Sequence, residues 1–271
     1  SVTSAVGCLP LGLAFGFQTV EDFLSGSRAM DAHALNAPES ENMPLLAALI
    51  SIWNSNFLRY PAQAIIPYAA GLSKLAPHIQ QLYMESLGKG VTVNGNRIDY
   101  PTGVIVFGEP GTNAQHSFFQ LAHQGTVFPI DFIGIVKPVF NKHQEKSKGV
   151  FNHQELWANM IAQAQALAIG KKDADAARCF SGNRPSSTIL LNDLSARSIG
   201  LLLSFYEART VYEGFILGLN PFDQFGVELG KVLASGLREK IVMKNDNPLH
   251  TFDDEPDWIR FYLDTLFKEQ L

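Results

Sequence analysis

Glu85, His116 and Lys231 have ionisable side chains of the types that act as general acids or bases in proteins. Glu85 lies in QLYMESLGK, just before Gly88, a residue that favours the end of a helix. A carboxylate there faces the negative end of the helix dipole, so its position does not serve helix stability. Gln81 is four residues earlier and shares its helical side. The pair is either part of a site or an ordinary polar surface.

Lys231 lies in the run NPFDQFGVELGKVLA, residues 220–234. Asn220 is a favourable N-cap and Pro221 suits the first helical position, so a helix is predicted to begin there. Gln224 and Lys231 are seven residues apart and would share one side of it. The other side would carry an apolar stripe of Phe222, Phe225, Leu229, Val232 and Leu233. We expect the helix to bury this stripe and to direct an amide and an ammonium elsewhere, although a solvated polar face would give the same pattern.

His116 follows the glycine-rich run GEPGTN, which comes directly after the apolar segment 104–107. His123 is seven residues later and would share its helical face, but a metal site is disfavoured because no third ligand has the usual spacing. The glycines could expose N–H groups near a helix start, as phosphate-binding loops do. A histidine that only packs or faces solvent is the third interpretation.

The composition limits the classes of protein that this chain can represent. Its 271 residues suit one large domain or two small ones, and 46% apolar with 17% charged residues is typical of a soluble globular protein. A net charge of -5 argues against nucleic-acid or membrane partners, and the apolar run 9–17 is too short to span a bilayer. The distant pair Cys8 and Cys179 favours a reducing compartment.

Helical and strand-like periodicities alternate along the chain. Helices are predicted over 20–35, 43–58, 77–86, 114–123, 155–169, 195–217 and 258–270, strands over 104–107, 127–136 and 187–191, and a hairpin over 91–100. The helix 43–58 is apolar nearly all round, so we expect it to be buried between layers. The alternation predicts an α/β fold, a three-layer α/β/α sandwich with a mostly parallel sheet, in which ligands bind beyond the carboxyl ends of the strands.

Several segments, in order along the chain, resemble the glucose-6-phosphate isomerase family. FDQFGVELGK, residues 222–231, is similar to the family's C-terminal signature, and GEPGTNAQHSFFQLAHQGT, residues 108–126, resembles its GEPGTNGQH segment with Ala114 in place of a glycine. MESLGK resembles its MESNGK motif with Leu87 in place of asparagine, and GNRPSSTILL resembles a structural segment. The opening SVTSAVG is similar to the tail of its GGR(F/Y)S motif.

The resemblance implies a cofactor-free interconversion of glucose 6-phosphate and fructose 6-phosphate through a cis-enediol. It implies that Glu85 is the base that moves a proton between C1 and C2, and that His116 helps to open and close the sugar ring. Lys231 would lie near the ring oxygen and the C1 hydroxyl, while Gln81 and Gln224 would line the substrate pocket. In the family the enzyme is a homodimer, so His116 is expected to reach the site of the neighbouring subunit.

The resemblance also implies how the chain is organised. It reads as the C-terminal half of a longer cytoplasmic enzyme, with 1–14 as the remnant of an upstream sugar-phosphate domain, 15–222 as a sugar-isomerase-type domain and 223–271 as a helical tail. The arginine of GGR and the phosphate-binding Ser/Thr loops would lie in the missing N-terminal half. Residues 1–271 alone are therefore expected to show little or no turnover.

Two alternatives remain at this stage. The same sandwich serves non-catalytic modules that bind sugar phosphates and regulate other proteins, and such a module would need a pocket without the three ionisable groups together. A purely structural or interaction fragment would bind no sugar phosphate at all.

Overall fold

The structure is a computed structural model that describes residues 1–139, 145–147 and 149–268. It divides into two compact units, Ser1–Phe222 and Asp223–Leu271, and each is described by itself. None of the helices in the described part of the chain is long and apolar enough to cross a membrane.

The first unit alternates helices and strands. Its helices are α1 (Ala5–Phe15), α2 (Phe17–Asn36), α3 (Met43–Ile52), α4 (Leu75–Leu87), α5 (Gly111–Gln115), α6 (Phe119–Gln124), α7 (Asn152–Ile169) and α8 (Ala196–Ile216). Its strands are β1 (Ala62–Pro67), β2 (Ile105–Phe107), β3 (Ile130–Ile135), β4 (Lys146–Ser147), β5 (Val150–Phe151) and β6 (Ser186–Leu191). A π-helical turn, Trp53–Phe57, extends α3.

Four of the strands form one parallel sheet in the order β2-β1-β3-β6. Ile130 of β3 pairs with Ala64 of β1 on one side and with Ser186 of β6 on the other. The strands β4 and β5 form a separate antiparallel ribbon. Because β2 lies to one side of β1 and β3 to the other, the topological switch point falls between β1 and β3.

Successive residues of the strands point to opposite faces, and each face has its own core. Ile65 of β1 packs with residues of α2, α3, α4 and α8. Its neighbours Ala64 and Ile66 pack with residues of α5, α6 and α7. The predicted α/β/α sandwich with a mostly parallel sheet is confirmed.

The prediction that helix 43–58 is buried between layers is wrong. One side of α3, with Ala48 and Ile52, packs inward, while Leu49, Ile50 and Trp53 are 47%, 53% and 55% exposed. The helix is apolar all round, but the described chain supplies packing partners, chiefly α8, for only one side of it.

Two shorter segments also differ from their predictions. The predicted helix 114–123 is two short helices, α5 and α6, that are interrupted at 116–118. The predicted hairpin 91–100 has a turn with Gly95 at φ 79° but only one isolated bridge, Val91 to Arg97. Its strands are too short to form a ladder.

The second unit contains α9 (Glu228–Asp246) and α10 (Asp257–Phe267), preceded by a 3₁₀ turn, Phe225–Val227. The end of the predicted helix 258–270 lies outside the described residues. Among the described residues of the second unit, Phe252 and Leu263 are buried apolar side chains. Lys240 forms ion pairs with Asp254 and Glu255.

The predicted helix start at Asn220 is wrong. Asn220 uses its side-chain oxygen to accept from the N–H of Phe222 at 3.1 Å, a local turn, and α9 begins only at Glu228. The predicted burial of the apolar stripe is wrong as well. Its members, Phe222, Phe225, Leu229, Val232 and Leu233, are all exposed. Four of the five lie in the second unit, which has only two described helices and offers too little surface to cover them.

Candidate active site

The helix α4 carries Gln81 and Glu85, and the contacts of two glycines that flank β2 show its direction. A Cβ atom on Gly108, just after β2, would lie 2.9 Å from the side chain of Ala76, near the start of α4. A Cβ atom on Gly103, just before β2, would lie 3.4 Å from Leu87, at the end of α4. The helix therefore runs antiparallel to β2, and Glu85 lies towards the amino end of the sheet.

Gln81 and Glu85 are both exposed, one turn apart, on the side of α4 that faces away from the core. The opposite side buries Ile79, Tyr83 and Leu87. The helix ends where predicted, because the N–H of Gly88 donates to the carbonyl oxygen of Met84 at 3.0 Å. An amide and a carboxylate are thus presented together on a helix whose other face is anchored.

His116 lies at the opposite edge, where the GEPGTN loop follows β2. A Cβ atom on Gly108 would meet the carbonyl oxygen of Ile65 at 2.0 Å, and one on Gly111 would meet the ring of Tyr68 at 2.6 Å. The amide of Gln115 donates to the hydroxyl of Tyr68 at 2.9 Å. These contacts fix the loop against the end of β1, and His116 follows it with an exposed side chain.

Glu85 and His116 are therefore not brought together within the first unit. The distance along α4 from Ala76 to Glu85, nine steps of about 1.5 Å each, is about 14 Å. This length separates the carboxyl group from the edge of the sheet on which the loop lies. A single copy of this unit presents its acid and its imidazole at opposite ends of the sheet.

Lys231 and Gln224 lie in the second unit. Lys231 is exposed in the first turn of α9, and Gln224 is exposed before the 3₁₀ turn, where its carbonyl oxygen accepts from the N–H of Val227. Because Gln224 is outside the helix, the predicted shared helical side of these two residues is wrong. Their meeting with Gln81 and Glu85 stays a prediction.

His123 and the GEPGTN loop bear on two interpretations from the sequence, a metal site and a phosphate-binding loop. The imidazole Nε2 of His123 lies 2.9 Å from the side-chain oxygen of Gln163, so this histidine has a protein partner. Within the described residues, no group of three His, Cys, Asp or Glu side chains could hold a metal ion. The loop GEPGTN leads into a helix of only five residues, α5.

A buried polar network beneath α4 was not foreseen from the sequence. The hydroxyl of Tyr83 donates to Oε1 of Glu213 on α8, and Ser51 Oγ on α3 donates to the same oxygen at 3.1 Å. Burial raises the pKa of the Glu213 carboxyl, and the nearby Arg209 guanidinium opposes this shift. One carboxylate therefore receives hydrogen bonds from two other helices.

The network continues to the sheet through Arg209. Its guanidinium donates to Asp131 of β3 at 3.1 Å and to Gln63 of β1 at 2.6 Å, and the Tyr206 hydroxyl donates to Asp131 at 3.2 Å. Burial raises the pKa of the Asp131 carboxyl, again opposed by Arg209. The sequence signal for this network was the pair Arg209 and Glu213, two opposite charges four residues apart in the predicted helix 195–217.

A cavity of about 60 Å³ adjoins this network at the amino end of the sheet. Its polar lining includes Ser51, Asn54, Gln63, Asp131 and Arg209. This volume is enough for a few water molecules, which suits the buried polar atoms around it.

Known proteins resemble this chain over most of its length. A family profile described as "Phosphoglucose isomerase" matches residues 1–255. The glucose-6-phosphate isomerase of Desulfosudis oleivorans is 63% identical over 98% of this chain and 49% of its own length. The cytosolic glucose-6-phosphate isomerase of Arabidopsis thaliana is 48% identical over 100% of this chain and 49% of its own length.

A solved structure agrees with these matches. The glucose-6-phosphate isomerase of Chlamydia trachomatis has a TM-score of 0.86 and 42% identity over 92% of this chain and 50% of that chain. The chain thus spans about half the length of the curated relatives it matches.

The parallel sheet with helices on both faces defines a class, the three-layer α/β sandwiches, and the solved isomerase structure narrows it to the sugar-isomerase type. The profile match and the identities then specify the family within that class. The chain belongs to the phosphoglucose isomerase family, whose members are also named glucose-6-phosphate isomerases.

Proposed function

We propose that the complete natural protein containing residues 1–271 interconverts glucose 6-phosphate and fructose 6-phosphate through a cis-enediol. The names of the relatives support this reaction. The observation that carries it here is the exposed Glu85 carboxyl group on α4, a helix whose opposite face is anchored in the core. A carboxylate held in this way can take a proton from one carbon of the sugar and return it to the next.

Gln81 is the second group on α4, and it binds the substrate. Its amide lies one turn from Glu85 on the same exposed side. An amide both donates and accepts hydrogen bonds, so it can orient hydroxyl groups of a hexose phosphate beside the base. Gln224 has the same capacity in the second unit and completes the contacts with the sugar.

His116 acts in the site of a second copy of the chain. Its position at the carboxyl edge of the sheet, away from Glu85, supports a homodimer in which each site takes its imidazole from the neighbour. An imidazole can exchange protons with the ring oxygen and hydroxyl during ring opening. The exposure of His116 supports this role, because its side chain is available to another subunit.

Lys231 is the third group, and it assists ring opening as a cationic donor near the ring oxygen and the C1 hydroxyl. Its exposed position in the first turn of α9 leaves the ammonium free to meet a ligand. An anionic enediolate also needs positive charge placed around it in advance. We propose that groups upstream of residue 1 supply most of that charge and the phosphate site.

Residues 1–271 by themselves therefore turn over little or no substrate. The chain spans about half the length of its relatives, and within its first unit Glu85 and His116 lie at opposite ends of the sheet. The proposed chemistry moves protons only, so it needs no cofactor. Plant relatives are named cytosolic, which supports a cytosolic location.

The test uses the complete natural protein and its Glu85→Gln variant with fructose 6-phosphate in deuterated water. The wild-type protein should isomerise the sugar and incorporate deuterium. In Glu85→Gln the rates of isomerisation and of deuterium incorporation should both fall at least about a thousandfold, while sugar-phosphate binding is largely retained. Normal isomerisation by Glu85→Gln would remove Glu85 as the base. Binding without exchange in the wild-type protein would contradict the isomerase and favour a regulatory module.

A further inference from the structure

The end of α4 that presents Gln81 and Glu85 is supported by a hydroxyl and a carboxylate that the proposed chemistry does not use. Tyr83 lies between these two residues in sequence but on the opposite side of the helix, where it is 2% exposed. Its hydroxyl donates to Glu213, which is 0% exposed. The bond joins the functional end of α4 to α8.

Two further contacts connect this bond to the rest of the unit. Ser51 of α3 donates to the same oxygen of Glu213 at 3.1 Å and lies 3.0 Å from the Tyr83 hydroxyl. The guanidinium carbon of Arg209 lies 5.7 Å from the centre of the Tyr83 ring, and Arg209 pairs with Asp131 of β3. The helix α4 is thereby connected to two helices and to a central strand through polar side chains.

Polar contacts of this kind restrain α4 in a way that its apolar contacts do not. Burial of Ile79 and Leu87 holds the helix against the sheet, but apolar contact has no preferred direction. A hydrogen bond weakens steeply when its angle or distance changes, so it limits rotation and sliding of the helix. A catalytic constellation must be held to within about 0.5 Å, and hydrogen bonds behind it add to packing in securing this.

We propose that Tyr83 and Glu213 are positioning residues that set the rotation and axial position of α4, and with them the Glu85 carboxyl and the Gln81 amide. This inference rests on the proposed function of those two groups. Tyr83 and Glu213 touch no substrate themselves. They act by fixing the helix from its buried side.

The kinetic test compares single substitutions in the complete natural protein. Tyr83→Phe removes only the hydroxyl, and we expect kcat to fall about tenfold while KM rises less. Glu213→Leu should change kcat and KM in the same way. Glu213→Gln keeps an acceptor oxygen, so its kcat and KM should remain closer to the wild-type values. The matched control is Tyr212→Phe, because Tyr212 is the neighbour of Glu213 on α8 but donates to the Ala34 carbonyl oxygen of α2. It should leave kcat and KM near their wild-type values.

A second measurement does not depend on turnover. Amide hydrogen exchange over residues 81–87 should become about tenfold faster in Tyr83→Phe but not in Tyr212→Phe. Wild-type kcat with unchanged exchange in Tyr83→Phe would overturn the inference, and so would equal effects of the two tyrosine substitutions. A wild-type protein that does not isomerise sugar phosphates would defeat the proposed function, while exchange would still decide whether Tyr83 and Glu213 hold α4.

Discussion

The two ends of the parallel sheet place their candidate groups by different means. At the amino end, Glu85 stands on a helix that is anchored by large buried side chains and by a polar network. At the carboxyl end, His116 follows a loop that packs against β1 through glycines, with no room for a side chain at Gly108 or Gly111. The position of the acid therefore depends on side-chain packing, and the position of the imidazole depends on close approach of the backbone. Substitutions can therefore disturb one end at a time.

The largest effect is expected at the amino end, from Leu87→Ala. Leu87 is 0% exposed, so its truncation should lower the free energy of unfolding by about 2–5 kcal/mol. The matched control is Met84→Ala on the same helix, which should change it by about 1 kcal/mol or less because Met84 is 38% exposed.

Urea unfolding of residues 1–271 measures both variants. Replacement of Trp258 by phenylalanine in every protein leaves Trp53 and Trp157 as fluorescent reporters of the first unit. If Leu87→Ala lowers the free energy of unfolding no more than Met84→Ala does, side-chain packing does not anchor this end of α4.

A smaller loss is expected at the carboxyl end, from Gly108→Ala. The added methyl group would meet the Ile65 carbonyl oxygen at 2.0 Å, so backbone must shift, at a cost of about 1–3 kcal/mol in the free energy of unfolding. Gly90→Ala is the control, since nothing lies within 4 Å of its added atom. The same unfolding experiment compares them, and equal stabilities would disprove the tight approach of this loop to β1.

The smallest effect concerns pH and the carboxyl groups of the network. Burial raises the pKa of Glu213 above its ordinary value of 4.5, so the folded protein holds this proton more tightly than the unfolded chain does. Stability from this group is therefore greatest at low pH and is lost as the pH rises through the raised pKa. Glu213→Gln should flatten that part of the stability profile. If the free energies of unfolding of the wild-type protein and Glu213→Gln differ by the same amount from pH 4 to 8, the raised pKa of Glu213 is contradicted.

The sequence predicted the features that local patterns determine. The alternating apolar runs indicated β2, β3 and β6, and Gly88 marked the end of α4, because periodicity and capping act over a few residues. The use of Asn220 in a local turn was missed, since the same side chain serves a helix cap or a turn equally well. The burial of α3 was overestimated, because an apolar sequence does not reveal how many other elements of the chain pack against the helix.

The candidate site shows a similar division. Family resemblance predicted which residues belong to it, and their roles remain proposals. The opposite placement of Glu85 and His116 depends on the crossing of α4 and the parallel pairing of β1 with β2, which no single motif contains. The bond from Tyr83 to Glu213 joins residues 130 positions apart, so it could only be found in the fold.

We propose that an acid and an imidazole at opposite ends of one sheet act on one substrate, each contributed by a different copy of the chain. The direct measurement mixes two complete, inactive proteins, Glu85→Gln and His116→Gln, under conditions that allow subunits to exchange. Mixed dimers then contain one site with both groups intact, so activity should return to about a quarter of the wild-type value after random pairing. Activity that stays at the level of the separate variants, although subunits have exchanged, would show that both groups serve a site within one chain and would contradict the account.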